Sequence, residues 1–265
     1  MQMKKYLKIW WRLISMNWQV DMMYKWSYLV NSFSELFFHL IVICYIYILF
    51  STNDWAKIAG FTVYDFYFVY IISELINTVC FISIFPSATR LKNQIYNGYF
   101  DILLIKPKNW FVMQFYRSWV AGGFQRIFYE TIVFFLIYRH ASMEWNVVNI
   151  FLIIFVFCYS VAMFYFIYWN SVYLYFFYQK FDTVYQLVRT ASELNQYPVG
   201  VYPRSIQWFF TFVIPVFLVA NPVYKILNGT LDVKYIGGMM LVLLVFLMIN
   251  VLMRKEGMRR YESAA

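Results

Sequence analysis

Six stretches of this chain are apolar over lengths that suit a bilayer, and this constrains the fold more than any other feature. A helix needs about 20 mostly apolar residues to cross a hydrocarbon core about 30 Å thick. The windows are Trp26–Phe50, Phe61–Phe85, Trp119–Tyr138, Val147–Tyr168, Ile206–Ala220 with its continuation, and Tyr235–Met253. With 63% hydrophobic and 24% aromatic residues in a chain of 265, little sequence remains for a soluble domain. Lipid offers backbone groups no partners, so only helices or closed barrels span it, and the alternating pattern of about ten residues that marks a barrel strand is missing. The expectation is an all-α membrane protein, a six-span helical bundle forming one domain over 26–265. An interfacial helix at 1–25 precedes it, and an inner loop lies at about 87–110.

The formal charge of +9 could suggest nucleic acid, but its distribution reads as topology. With the N-terminus inside, Lys4, Lys5, Lys8, Arg12 and Lys25 precede the first span, and Arg90, Lys92, Lys106 and Lys108 fall in the inner loop. Lys180, Arg189 and Arg204 fall in the next inner segment, and Arg254, Lys255, Arg259 and Arg260 in the tail. The opposite side carries only Lys57, Arg139, Lys225 and Lys234. Short loops rich in Lys and Arg stay cytoplasmic, so both termini are expected inside a multi-pass protein of the cell's inner (plasma) membrane. The expected partner of the charge is the lipid bilayer, not nucleic acid. Cys44, Cys80 and Cys158 all lie in apolar spans without metal-ligand spacing. No cleavable signal peptide is expected, since no short apolar core followed by small residues opens the chain.

Within residues 3–25, Leu7, Trp10, Trp11, Ile14 and Trp18 recur at helical spacing opposite Lys5, Lys8, Arg12, Ser15 and Gln19. This pattern predicts an elbow helix lying on the inner leaflet, or a plain membrane anchor of the same make. The second span is expected to stop at Pro86, which cannot continue the helical ladder. In the loop that follows, Leu91, Ile95, Tyr96 and Tyr99 suggest a short amphipathic helix, and Asn97-Gly98 a left-handed stop. A second short apolar piece, Phe100–Ile105, ends at Lys106-Pro107. These pieces suit contact with a soluble partner, or equally an interfacial loop whose basic side chains reach back to water. The fourth stretch, extended to about Tyr178, must tilt, break near Asn170-Ser171 or project inward, and the polar end at Gln179-Lys180 favours projection. Val184, Leu187, Val188, Ala191 and Leu194 mark one face of another interfacial helix within Asp182–Gln196. Pro215 inside the fifth span and Pro222 just after it predict a kinked or re-entrant segment.

Glu35, Glu74, Arg126 and Glu130 lie inside spans, where an ionisable group costs roughly 2.5–3.5 kcal/mol at mid-helix on insertion scales. Glu35 shares a helix face with His39, and Arg126 with Glu130. They read as a polar path, or as structural pairs that fix helix register, and no recognised site pattern favours the path. The two histidines lie far apart and outside any HExxH pattern, and GxxxxGK[ST] is missing. The chain is therefore expected to bind no cofactor and to be no enzyme. Uphill movement would draw on another subunit or an ion gradient.

Two segments carry a family resemblance. QIYNGYFDILLIKP (Gln94–Pro107) and YPRSIQWFFTFVIPVFLVANPVYKILNG (Tyr202–Gly229) are similar to the inner loop and fifth-span segment of small six-span ABC type-2 exporter permeases. With the elbow helix, the order of these pieces resembles that family over essentially the whole chain. The very high aromatic content and the scarcity of glycine depart from it. The resemblance implies the membrane half of an ATP-driven exporter. It would pair with a second permease, identical or related, above two ABC ATPase subunits that hold the ATP and Mg. It also implies a coupling helix over Lys92–Leu104, with Lys92, Ile95, Tyr96, Gly98, Asp101, Leu103 and Leu104 serving ATPase coupling. Ile95 and Leu103 would pack against the ATPase. The alternative is a stand-alone membrane protein, an ion-coupled carrier or a non-transporting scaffold. A carrier with inverted repeats should show interrupted helices in both halves, and Pro215 has no counterpart in the first three spans.

Overall fold

The computed structural model describes residues 11–12, 15–16, 18–20, 23–52, 60–105, 110–111, 114, 118–120, 122–140, 147–178 and 182–261. Among them every regular element is helical. The helices are α1 (Lys25–Thr52), α2 (Val63–Tyr96), α3 (Asp101–Leu104), α4 (Gly122–His140), α5 (Val147–Tyr173), α6 (Asp182–Glu193), α7 (Arg204–Phe212), α8 (Asn221–Leu227) and α9 (Val233–Arg260). Among the described residues, four helical stretches are long and apolar enough to cross a membrane: Lys25–Thr52, Val63–Tyr96, Val147–Phe176 and Val233–Arg260. Of the expected elbow helix, Leu7, Trp10 and Ile14 lie outside the described residues, as do Lys4, Lys5 and Lys8. Trp11 and Trp18 are exposed. Lys106-Pro107, most of the first outer loop and Lys180 also fall outside.

Helix α2 is the centre of the bundle, packed against α4 on one side and α5 on the other, with α9 behind α5 and α1 at the edge. It starts with a capping box, in which the Asp65 N–H faces Thr62 Oγ1 and the Thr62 N–H donates to Asp65 Oδ2, so two of the donors orphaned at a helix start are satisfied. It then runs for 34 residues straight through Pro86. This corrects the expectation that Pro86 ends the span. A proline deprives the carbonyl four residues earlier of its partner. Here that carbonyl belongs to Ile82, and it accepts the Val120 N–H at 2.9 Å. The approach is possible because Gly123 lies against Ile82, where any Cβ would overlap the isoleucine side chain. Gln114 Nε2 fastens the same segment to Ser87 O at 3.1 Å. The separate amphipathic helix expected from Leu91, Ile95, Tyr96 and Tyr99 is accordingly, as far as Tyr96, the last part of α2.

Helix α5 likewise does not break at Asn170. It continues through Tyr173 into a 3-10 turn at Leu174–Phe176, and Asn170 bridges to α9 instead. Asn250 Nδ2 donates to Asn170 Oδ1 at 2.8 Å, and Asn170 Nδ2 to Phe246 O at 3.3 Å. The helix expected to lie at the interface within Asp182–Gln196 instead packs lengthwise on α2, Asp182 meeting Lys92, Gln196 meeting Glu74 and Tyr197 meeting Phe66. The expected fifth span is interrupted: α7 ends at Phe212, Pro215 leaves the helical region with ψ 50°, and Val216–Leu218 forms a 3-10 turn. Gly200 before it and Tyr224 after it both lie against Phe61, so the segment is re-entrant. Helix α8 follows with Pro222 in its first turn, where the missing N–H would be unpaired anyway. Irregular backbone among apolar side chains needs partners for its polar groups. Ser160 Oγ donates to Val219 O, the Ala220 N–H donates to Asn195 Oδ1, and the Val199 N–H donates to Asn221 Oδ1. Buried side chains thus replace the hydrogen bonds that an unbroken helix would have made.

Candidate functional site

Two places gather the polar and coupling residues singled out by sequence. The first is a buried polar cluster where α1, α2 and α4 meet. On α1, Ser32, Glu35 and His39 recur at helical spacing and make the inward face. Ser32 Oγ donates to Gln125 Oε1 at 2.9 Å. Glu35 Oε2 lies 3.0 Å from Arg126 Nε in an ion pair, and the guanidinium also stands over the Phe81 ring, 5.1 Å from its centroid. His39 Nδ1 is bonded to Tyr70 Oη at 2.5 Å. On the opposite edge of that imidazole, Nε2 lies 3.9 Å from Glu74 Oε2 and 3.8 Å from Glu130 Oε1.

Each carboxylate is held from behind. Gln196 Nε2 donates to Glu74 Oε1 at 2.8 Å, and Thr78 Oγ1 donates to Glu130 Oε1 at 2.7 Å. Of the two pairings offered by shared helix faces, neither closes on itself. Arg126 and Glu130 each reach a different neighbouring helix, as do Glu35 and His39. Tyr70, Thr78 and Gln196 escaped the sequence reading. Tyr70, Glu74 and Thr78 are successive fourth residues on one helix face, so a signal existed for two of them. Gln196 had none.

The second place is the inner end of α2. Gly98 has φ +73°, a left-handed value that favours glycine, while Asn97 stays at φ −93°. The Gly98 N–H bonds back to Ile95 O, and the Phe100 N–H to Gln94 O, closing the helix end. Phe100 is fully buried, its ring edge-on to Trp110, Phe176 and Tyr261, which pins the turn to the bundle. A single helical turn, α3, follows with Asp101 at its start.

The structure sorts the expected coupling residues into two sets. Ile95 and Leu103 are only 4% and 3% exposed and belong to the chain's own core. That removes them from the outward surface on which they were expected to meet a partner. Lys92 is also engaged internally: its Nζ donates to Asp182 Oδ1 at 2.7 Å and stands 4.9 Å from the Tyr185 ring centroid. That bond and one from Tyr175 Oη hold the Asp182 carboxyl below its ordinary range and tie α6 to α2. Tyr96, Tyr99, Ile102, Leu104 and Ile105 point outward, Ile105 at 82% exposure. Between α2 and α6 lies a cavity of about 830 Å³. Its wall mixes Phe81, Phe85, Tyr168 and Tyr185 with Arg90, Lys92, Arg126, Arg189, Glu74 and Glu193.

A family model described as an ABC-2 family transporter protein matches residues 20–265, nearly the whole chain. The chain belongs to the ABC-2 transporter family. No curated protein and no solved structure matches it. For an ABC-2 transporter the membrane-length helices of the fold are in keeping, and both gathering places lie on one helix. Glu74 sits about a third of the way along α2 and the glycine turn ends it, Gly98 lying 24 residues further on.

Proposed function

We propose that this protein is the permease subunit of an ATP-driven exporter. It would form the path with a second permease, identical or related, and couple through the turn after α2 to two separate ATPase subunits. The observation that carries the reading is the continuity of α2. One rigid helix joins the buried polar cluster to a turn that offers Tyr96, Tyr99, Ile102, Leu104 and Ile105 to the surroundings. An exposed apolar patch at the end of a membrane-length helix suits a docking site for a soluble partner. A movement of that partner would reach the bundle centre through packed, stiff structure.

In this reading, α4 and the segment from α6 to Val201, which runs along α2 from Lys92 to Phe61, complete six spans with the four long helices, and the broken α7–α8 segment is re-entrant. The tryptophan-bearing N-terminal segment is the interfacial elbow, and α3 with the preceding turn acts as the coupling element. Both termini and the turn face the cytoplasm of the cell membrane, as the distribution of Lys and Arg indicates. ATP and Mg belong to the ATPase partners, and no enzymatic step falls to this chain. The cavity beside α2, with aromatic walls and several cationic groups, suits a substrate with an apolar body and an anionic group.

Co-purification of the full chain in mild detergent tests the reading. An ABC ATPase should come with the wild-type protein and be lost from the double variant Ile102→Asp, Ile105→Asp. The double variant should still elute as folded protein, because both side chains are exposed. Retention of the ATPase by that variant would contradict the docking surface. Absence of any ATPase from the wild-type preparation would favour the stand-alone carrier.

A further inference from the structure

The polar cluster contains a set of atoms that hydrogen bonding leaves unexplained. His39 from α1, Glu74 from α2 and Glu130 from α4 are all buried, and one donor atom of each lies within 4.8 Å of the other two. His39 Nε2 and Glu130 Oε2 are buried without a hydrogen-bond partner. A buried polar atom left in that state costs about 1–3 kcal/mol. The separations of 3.8 and 3.9 Å from Nε2 to the two carboxylates are too wide for hydrogen bonds, which end near about 3.2 Å. Two donor atoms each about 2.0–2.2 Å from one ion in tetrahedral geometry stand roughly 3.3–3.6 Å apart, so a closing shift of a few tenths of an ångström would bring this set onto an ion.

Charge points the same way. Arg126, paired with Glu35, is the one cation among the described residues whose field also reaches Glu74 and Glu130, so three carboxylates share a single positive charge. Two buried negative charges in an apolar bundle call for a compensating double positive charge. Ligand support is in place as well. In the tautomer whose Nδ1–H donates to Tyr70 Oη, the imidazole turns its Nε2 lone pair to the carboxylates, and Gln196 and Thr78 hold those carboxylates from behind. Such outer partners fix ligand orientation at metal sites. Glu74 also lines the cavity, which gives an ion a way in.

We propose that His39, Glu74 and Glu130 bind one divalent transition-metal ion, of the class that accepts an imidazole with two carboxylates. The ion cross-links α1, α2 and α4 at the centre of the bundle. This assignment stands independently of the exporter reading.

The test uses the full chain with a tag free of histidine, stripped with EDTA and dialysed against Zn²⁺ or Mn²⁺, with bound metal counted by mass spectrometry. Wild-type protein should hold about one ion per chain, and His39→Gln and Glu130→Gln should hold none. Tyr70→Phe keeps all three ligands and should weaken binding about 10–100-fold. If the ligand variants do not fold, Co²⁺-loaded wild-type protein still decides: a visible spectrum of nitrogen- and oxygen-bound cobalt supports the site, and that of hydrated cobalt overturns it. Folded wild-type protein that stays metal-free at saturating ion would mean that the carboxylates are neutralised by protons, and would overturn the proposal. So would equal binding by wild type and folded His39→Gln.

Discussion

Helices α1 and α2 are close to each other in apolarity and both exceed the length of a bilayer crossing, yet they occupy opposite situations. In their most apolar stretches, 72% of α2 is buried inside the protein but only 11% of α1. Hydropathy therefore identifies the solvent that a helix tolerates, not its place in the bundle. The placement follows the small and polar residues instead. Helix α2 carries Ser73, Glu74, Thr78, Ser83 and Ser87, all buried, so several faces can meet other helices. Helix α1 meets its neighbours through a stripe of polar contacts at Ser32, Glu35, His39 and the Ile43 carbonyl, and presents Phe33, Phe37, Leu40 and Ile41 outward. In lipid, apolar side chains gain little from meeting each other, so packing and polar contacts decide which helices associate. A single polar stripe docks α1, whereas α2 is held all round.

The strongest challenge to this contrast is a charge reversal at the place where the two helices meet. Glu130→Lys puts a long cationic side chain into the packed site beside His39 and Arg126 and removes the acceptor of Thr78. Breaking a buried charged set costs about 3–5 kcal/mol. The yield of monodisperse protein by fluorescence-detected gel filtration is expected to fall severely. A normal yield would show that the cluster does not hold the bundle.

The next effect compares equivalent truncations. Ile76→Ala on α2 removes a fully buried side chain and should cost about 2–5 kcal/mol. Leu40→Ala on the outward face of α1 should stay within about 0.5 kcal/mol. Thermal unfolding followed by gel filtration reads both, and equal shifts would erase the distinction. Gly123→Val would drive a side chain into Ile82 and lift the Val120 N–H from the Ile82 carbonyl. A loss of about 1–3 kcal/mol is expected in the same assay. The smallest change is Ser32→Ala, which deletes one interhelical hydrogen bond at the stripe. Such bonds average about 0.6 kcal/mol in a membrane protein.

How much of this was legible in the sequence differs by residue. The left-handed turn was readable at Gly98, because glycine needs no side-chain context to adopt it. The unbroken course of α2 was not read, since the proline rule registers the lost donor at Pro86 and knows nothing of Val120, 34 residues away. A clue was present: Ile84, Ala88, Leu91 and Ile95 continue one helical stripe across the proline. That stripe also marks Ile95 as a core residue. The outward residues Ile102 and Ile105 are no less apolar than the inward Ile95 and Leu103, so hydrophobicity alone could not sort them. The charged residues in the spans were visible at once, as was the choice between a pair on one helix and bonds to a neighbouring span, and the bundle takes the second. Shared helix faces suggested Arg126 with Glu130, while the bundle pairs Arg126 with Glu35 and brings Glu130 to His39 and Thr78.

The central claim is that the turn after α2 lies on the cytoplasmic side, where an ATPase can reach it. Labelling with a membrane-impermeant thiol reagent tests it most directly, using single cysteines in a chain whose Cys44, Cys80 and Cys158 are replaced. Tyr99→Cys should resist the reagent in intact cells and react in inverted vesicles, and Asn228→Cys, in the turn after α8, should do the opposite. Reaction of Tyr99→Cys in intact cells would place the turn outside, beyond the reach of any ATPase, and would contradict the account.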